Sequence, residues 1–185
     1  MDKTVRIVGL SGSLRRGSYN SAALRAAQAL LPANVELQIL DLAQIPFFNE
    51  DLEAEGMPSS VAELRAALEA ADAVLMATPE YNFSLPPVLK NALDWASRGD
   101  KPPLAGKPVA IMSASIGWLG GARVQYHLRQ VCGALNMLPL NRPEVFIGNA
   151  QEKFDEEGNL IDQRTQRFIR RLLEALVQRV REMRD

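Results

Sequence analysis

Short apolar runs alternate with segments of helical period along most of the chain. Residues 5–10 open with Val5-Arg6-Ile7-Val8 and read as a buried strand, and the Ala/Leu-rich residues 20–31 read as a helix. Residues 35–40 alternate apolar and polar side chains, as a half-covered edge strand does. A long connection spans 43–60, with Pro46, Phe47-Phe48 and several acids. Ser59 or Ser60 then starts a helix, with Glu63 placed to complete a capping box. Residues 73–77 and 109–113 read as short buried strands. Residues 87–97 form a helix with proline in its first turn, and 120–135 form another. The last strand falls within 139–146. Residues 161–184 are an amphipathic helix with Phe168, Leu172, Leu173, Leu176, Val177 and Val180 on one face.

Five strands alternating with five helices predict a parallel sheet covered on both faces, within one domain spanning 1–185. In such sheets ligands bind beyond the carboxyl ends of the strands. The chemically unusual segments, 11–20, 78–83 and 113–121, all follow strands.

The first of these segments carries an anion site. Gly9-Leu-Ser-Gly-Ser-Leu-Arg-Arg-Gly-Ser-Tyr-Asn-Ser21 links a strand to a helix N-terminus with glycines, hydroxyls, two arginines and no acid. Free N–H groups and the helix dipole converge at such a turn. A triphosphate loop is excluded, because Ser18 stands where the lysine after Gly12-x-x-x-x-Gly17 belongs. Gly9 and Gly12 are also wrongly spaced for a dinucleotide fingerprint, and Asp41 reads as a loop or capping carboxylate. A terminal phosphomonoester fits better: Ser11, Ser13, Ser18, Asn20 and Ser21 supply donors, and Arg15 a charge-assisted one. The second segment, Thr78-Pro-Glu-Tyr-Asn-Phe-Ser-Leu-Pro-Pro87, is stiffened by prolines, and Tyr81 and Phe83 can flank a flat heterocycle. The third, Ser113-Ala-Ser-Ile-Gly-Trp-Leu-Gly-Gly-Ala-Arg123, has small residues that let a ligand approach backbone.

Four motifs carry a resemblance: Ser11-Gly-Ser-Leu-Arg-Arg-Gly-Ser-Tyr-Asn20, Thr78-Pro-Glu-Tyr-Asn82, Leu89-Lys-Asn-Ala-Leu-Asp-Trp95 and Gly120-Gly-Ala-Arg123. Together they resemble the NADPH-dependent FMN reductase family, in its soluble chromate and quinone reductase branch. The resemblance implies a flavodoxin-like three-layer sandwich, with strand order 2-1-3-4-5 and noncovalent FMN. It implies that Ser11, Ser13, Arg15, Ser18 and Asn20 hold the FMN phosphate, with Tyr19 and Ser21 in the same set. By the same resemblance Pro79, Glu80, Tyr81, Asn82 and Phe83 line the ring, chiefly through backbone groups, and Ser113 and Gly117 close the far side. Pro86-Pro87 departs from the Pro-Gly of many relatives. The implied chemistry is ping-pong hydride transfer from NADPH or NADH through flavin N5 to quinones, with chromate or azo compounds as further acceptors. The implied assembly is a homodimer or homotetramer.

No catalytic side chain or metal is required, because the cofactor performs the hard step. His127 and Cys132, the only residues of their kinds, are five apart and so do not share a helical face. Cys132 reads as core and His127 as surface or interface. Glu80 reads as structural or interfacial, Arg123 and Tyr126 as contacts to NADPH or a neighbouring subunit, and Phe47, Phe48 and Trp118 as lid or subunit contacts. A net charge of -1 gives no pull toward nucleic acid or membrane, and the arginine-rich last helix is interrupted by Glu174, Glu182 and Asp185. Met1-Asp2-Lys3-Thr4 lacks a signal-peptide pattern, and a lone cysteine fits a reducing, cytoplasmic setting. Two other classes stay open: an FMN-binding electron carrier without a dedicated substrate, and a phosphate-binding regulatory domain without flavin.

Overall fold

A computed structural model describes residues 3–184; Met1 and Asp2, read above for a leader, and Asp185 lie outside them. The order is β1 (Val5–Ser11), α1 (Tyr19–Ala29), β2 (Val35–Leu40), α2 (Glu50–Glu55), α3 (Ser59–Ala70), β3 (Ala73–Thr78) and α4 (Pro87–Ala96). It continues with β4 (Pro108–Ala114), α5 (Ala122–Ala134), β5 (Leu138–Pro139), β6 (Val145–Ile147) and α6 (Gln163–Glu182), with a 3₁₀ turn at Ala150–Glu152. The strands form one parallel sheet in the order β2-β1-β3-β4-β5, and β6 also pairs with β4. This is the flavodoxin-like arrangement.

Each central strand is apolar on both sides because both sides are covered. One core holds Val5, Ile7, Ala73, Leu75, Ala77, Ala110 and Met112 against α1 and α6. Val8, Leu10, Val74, Met76, Val109 and Ile111 face the other way, into a second core with α3, α4 and α5. Burying one such leucine or valine contributes about 1.5–3 kcal/mol. β2 lies at the sheet edge with only Leu37 buried, which accounts for its alternating pattern.

Four sequence expectations change. The fifth strand position is filled by two short strands: β5 pairs with the start of β4 and β6 with its end. Pro143, which has no N–H to donate, lies in the stretch that leaves the ladder between them. The connection at 43–60 contains a sixth helix, α2, capped by the Asn49 side chain, which accepts from Asp51 N–H. The capping box at α3 does not form: Pro58 takes the cap position and no side chain caps the helix. Finally, α5 starts two residues late, because Gly120 and Gly121 adopt left-handed backbone before it.

Candidate active site

The β1–α1 turn is built from its own hydroxyls. Ser11 and Ser21 Oγ lie 2.8 Å apart, and Ser11 Oγ also donates to the Ser13 carbonyl at 3.2 Å and accepts from the Ser13 N–H at 3.3 Å. Ser18 caps α1 by accepting from Ser21 N–H. The N–H groups of Tyr19 and Asn20, in the first turn of α1, have no acceptor among the described residues. Arg15 is exposed, lies 5.7 Å from the Tyr19 ring centroid, and has no carboxylate partner among the described residues. Unpaired helix amides beside an unpaired guanidinium make a site that attracts an anion.

The side chain of Asn20 serves a different purpose from the donor role expected above. It is buried, and both ends of its amide bond the backbone of Ala114 at the end of β4. Its own N–H stays available to the anion. Asp41 accepts from the Ala43 N–H at 2.9 Å, which is the loop role expected for it.

The β3–α4 loop folds into a tight hairpin. Tyr81 and Ser84 exchange backbone hydrogen bonds of 3.1 and 2.9 Å, with Asn82 and Phe83 at its tip in left-handed backbone, φ 49° and 66°. Two consecutive positive φ values are the geometry of a type I′ turn. A phenylalanine there is strained, and strain of this kind is held in place by its surroundings. The Arg123 guanidinium covers the Phe83 ring at 4.1 Å and pairs with Glu80 at 3.0 Å. The other Glu80 oxygen accepts from the Val124 N–H at 3.2 Å, so Glu80 caps α5 from a neighbouring loop. Tyr81 and Phe83 are exposed rather than packed on the core.

Gly12 welds the first two loops together. A Cβ there would come within 2.7 Å of Pro86 Cγ and 3.0 Å of Pro79 Cδ. The anion turn and the aromatic loop are therefore at a fixed separation. Two adjoining clefts of about 390 Å³ flank this junction. One is lined by Ser11, Ser13, Arg15 and Ser21, the other by Gly12, Leu14, Phe47 and Tyr81. Ser18, Tyr19, Asn20, Pro79, Glu80, Asn82, Phe83, Ser113 and Gly117 line neither, and Ser113 is fully buried behind the third loop.

Three residues with no individual role in the sequence reading hold this end of the sheet, two of them inside the motif at 89–95. Asn91 accepts from the Phe48 N–H at 2.7 Å and donates to the Pro46 carbonyl, which also accepts from Trp95 Nε1 at 2.8 Å. Asn91 and Trp95 share a helical face, and that spacing was the available signal. Phe48 packs edge-on against Trp95, whereas Phe47 is exposed. Gln125 is the third, bonded to Ser113 Oγ and the Val145 carbonyl.

His127 is exposed, with Nδ1 3.3 Å from Ser84 Oγ. Cys132 is buried in the core, and that burial pushes its thiol up to about 11, so it is un-ionised at neutral pH. Among the described residues no helix is long and apolar enough to cross a membrane.

A parallel doubly wound sheet with an anion turn and an aromatic loop at its carboxyl end defines the class of flavodoxin-like nucleotide-binding proteins. Within that class, residues 5–152 match the NADPH-dependent FMN reductase family, and the chain belongs to it. It is 50% identical over 184 residues to an NAD(P)H-dependent FMN reductase of Pseudomonas aeruginosa, covering 100% of both chains. It is 45% identical to a quinone reductase of Escherichia coli K12, covering 89% of each. Its fold superposes on the flavoenzyme NAD(P)H:(acceptor) oxidoreductase FerB of Paracoccus denitrificans with a TM-score of 0.88, at 32% identity and covering 97% and 98% of the two chains.

Proposed function

We propose that the chain binds FMN noncovalently and uses NADPH or NADH to reduce quinones, the two substrates taking turns at one open face in ping-pong order. The observation that carries this reading is the junction at Gly12, where the unpaired amides and Arg15 of the anion turn sit a fixed distance from the aromatic hairpin. A monophosphate fits the turn: the Tyr19 and Asn20 N–H groups would hold its oxygens and Arg15 would meet its charge. Ser11, Ser13, Ser18 and Ser21 would shape the turn around it, and the loops at Pro79–Phe83 and Gly117 would wall the ring.

When bound, the flavin supplies two-electron transfer, which none of this chain's side chains offers. The chain's share is orientation. Glu80 and Arg123 fix the hairpin, and the prolines at 79, 86 and 87 stiffen its ends. His127 and Cys132 take no part in this reading. Names of relatives support quinone as the acceptor class. Chromate and azo compounds are further acceptors on the resemblance alone. A homodimer or homotetramer belongs to the same reading, supported by the exposed Phe47, Ile116 and Trp118, and a cytoplasmic setting belongs to it on the lone cysteine alone.

Anaerobic titration tests the function. Protein reconstituted with FMN should lose its visible flavin absorbance on adding NADPH and regain it on adding a quinone. A flavin that NADPH leaves oxidised, or that quinone leaves reduced, would overturn the assignment. An electron carrier would turn over slowly in this assay without a reductase partner.

A further inference from the structure

Gln125 lies wholly inside the fold, in the first half of α5. Its Nε2 donates to Ser113 Oγ at 2.8 Å and to the Val145 carbonyl at 2.9 Å. The carbonyl fixes which end of the amide is nitrogen, since the flipped amide would set two acceptors against each other. Ser113, itself fully buried, then directs its single proton to the Gly120 carbonyl at 2.6 Å. Gly120 has no spare room: a Cβ there would come within 2.7 Å of Gly148 N and 2.8 Å of Ile147 N. The peptide after Gly120 is thus held by packing on one side and by Ser113 on the other.

The remaining atom of the amide, Gln125 Oε1, has no hydrogen-bond partner among the described residues. A buried acceptor left unsatisfied is unfavourable. A methionine would fill similar space without it, so what the amide adds is its two N–H donors.

We propose that Gln125 is a positioning residue for the loop at 115–121: acting through Ser113, it fixes the peptide at Gly120, whose N–H donates to the Gly117 carbonyl at 3.1 Å, and hence where Gly117 and Trp118 stand. Its effect on turnover rests on the reading that the flavin ring lies between this loop and the aromatic hairpin.

The loop itself can be read without flavin. Trp118 is 80% exposed and Trp95, the only other tryptophan, is fully buried. Iodide quenching of the flavin-free protein therefore reports Trp118. Gln125→Met and Ser113→Ala should each change that quenching in the same direction, and the double variant should go no further than either. In the FMN-loaded protein, held at saturating FMN, both should raise the KM for NADPH about fivefold or more. Should Gln125→Met not fold, Ser113→Ala carries the test alone. A folded variant with lowered Tm but unchanged Trp118 quenching and unchanged KM would overturn the proposal and leave Gln125 as packing only. If the wild type takes up no FMN, the functional reading fails while the quenching result still decides the loop claim.

Discussion

The Asn20 side chain and the Ala114 backbone form a reciprocal pair: Nδ2 donates to the Ala114 carbonyl at 3.0 Å, and Oδ1 accepts from the Ala114 N–H at 2.9 Å. Asn20 is the second residue of α1, and Ala114 ends β4, two strands away from β1. The pair therefore spans the top of the sheet and fixes the helix turn whose amides face the anion site. Asn20→Ala would remove both of these bonds to the buried Ala114 backbone. It should lower unfolding free energy in urea by about 1–3 kcal/mol. It should also weaken FMN retention, because the amides would no longer be held in place.

Two glycines of the same turn should behave oppositely. Gly12→Ala forces a methyl against proline ring atoms of a second loop, and overpacking of this kind costs about 1–3 kcal/mol. It should also separate the anion turn from the aromatic hairpin and lower FMN content. Gly17 faces only the far end of the Arg15 side chain and has ordinary backbone, so Gly17→Ala should change stability by no more than about 0.5 kcal/mol. Thermal melts of the two variants with and without FMN check both outcomes.

Asp72 ties the C-terminal end of α6 to the sheet. Burial alone would raise its carboxyl, but hydrogen bonds from Arg184 and the Arg6 N–H, with the charges of Arg184 and Lys3, outweigh it and hold the group below its ordinary 3.8. The Arg184 contact is 2.8 Å, and the same guanidinium donates to the Lys3 and Thr4 carbonyls. A depressed carboxyl contributes stability above its unfolded value and loses it as pH falls through the folded value. Wild type should therefore exceed Asp72→Asn in stability at neutral pH, and the gap should narrow only in acid below 3.8. Urea midpoints measured across that range give the sign directly.

Much of this architecture was legible because burial writes itself into pattern. β3 and β4 are covered on both faces and read as unbroken apolar runs, and β2 at the edge alternates. α6 showed its buried stripe, though Ile169 belongs to it as well. α2 was missed because it buries no residue and so has no apolar face, although Asn49 with Glu50 and Asp51 is a readable helix start. The divided last strand was missed because an apolar run cannot say which part of β4 it will pair with.

The site was legible as composition and not as geometry. Asn20 was read as a donor in a polar turn, but its true partner lies 94 residues away, which no local spacing encodes. Ser113 sat in a small-residue segment that invited a ligand-facing role, whereas its hydroxyl is enclosed between Gly120 and Gln125. Glu80 reads from the sequence as structural or interfacial, because the chemistry implied for the chain needs no carboxylate. Its tie to Val124 N–H became visible only once the hairpin was placed beside α5.

The central claim is that the β1–α1 turn grips the phosphate of FMN, and the most direct measurement is a fluorescence titration of flavin-stripped protein with FMN and with riboflavin, for wild type and Arg15→Ala. FMN should bind wild type at low micromolar concentration, riboflavin should bind far more weakly, and Arg15→Ala should bring the two flavins closer by weakening FMN about tenfold or more. Equal affinity of the wild type for both flavins, or an Arg15→Ala variant that binds FMN as tightly as wild type, would contradict it.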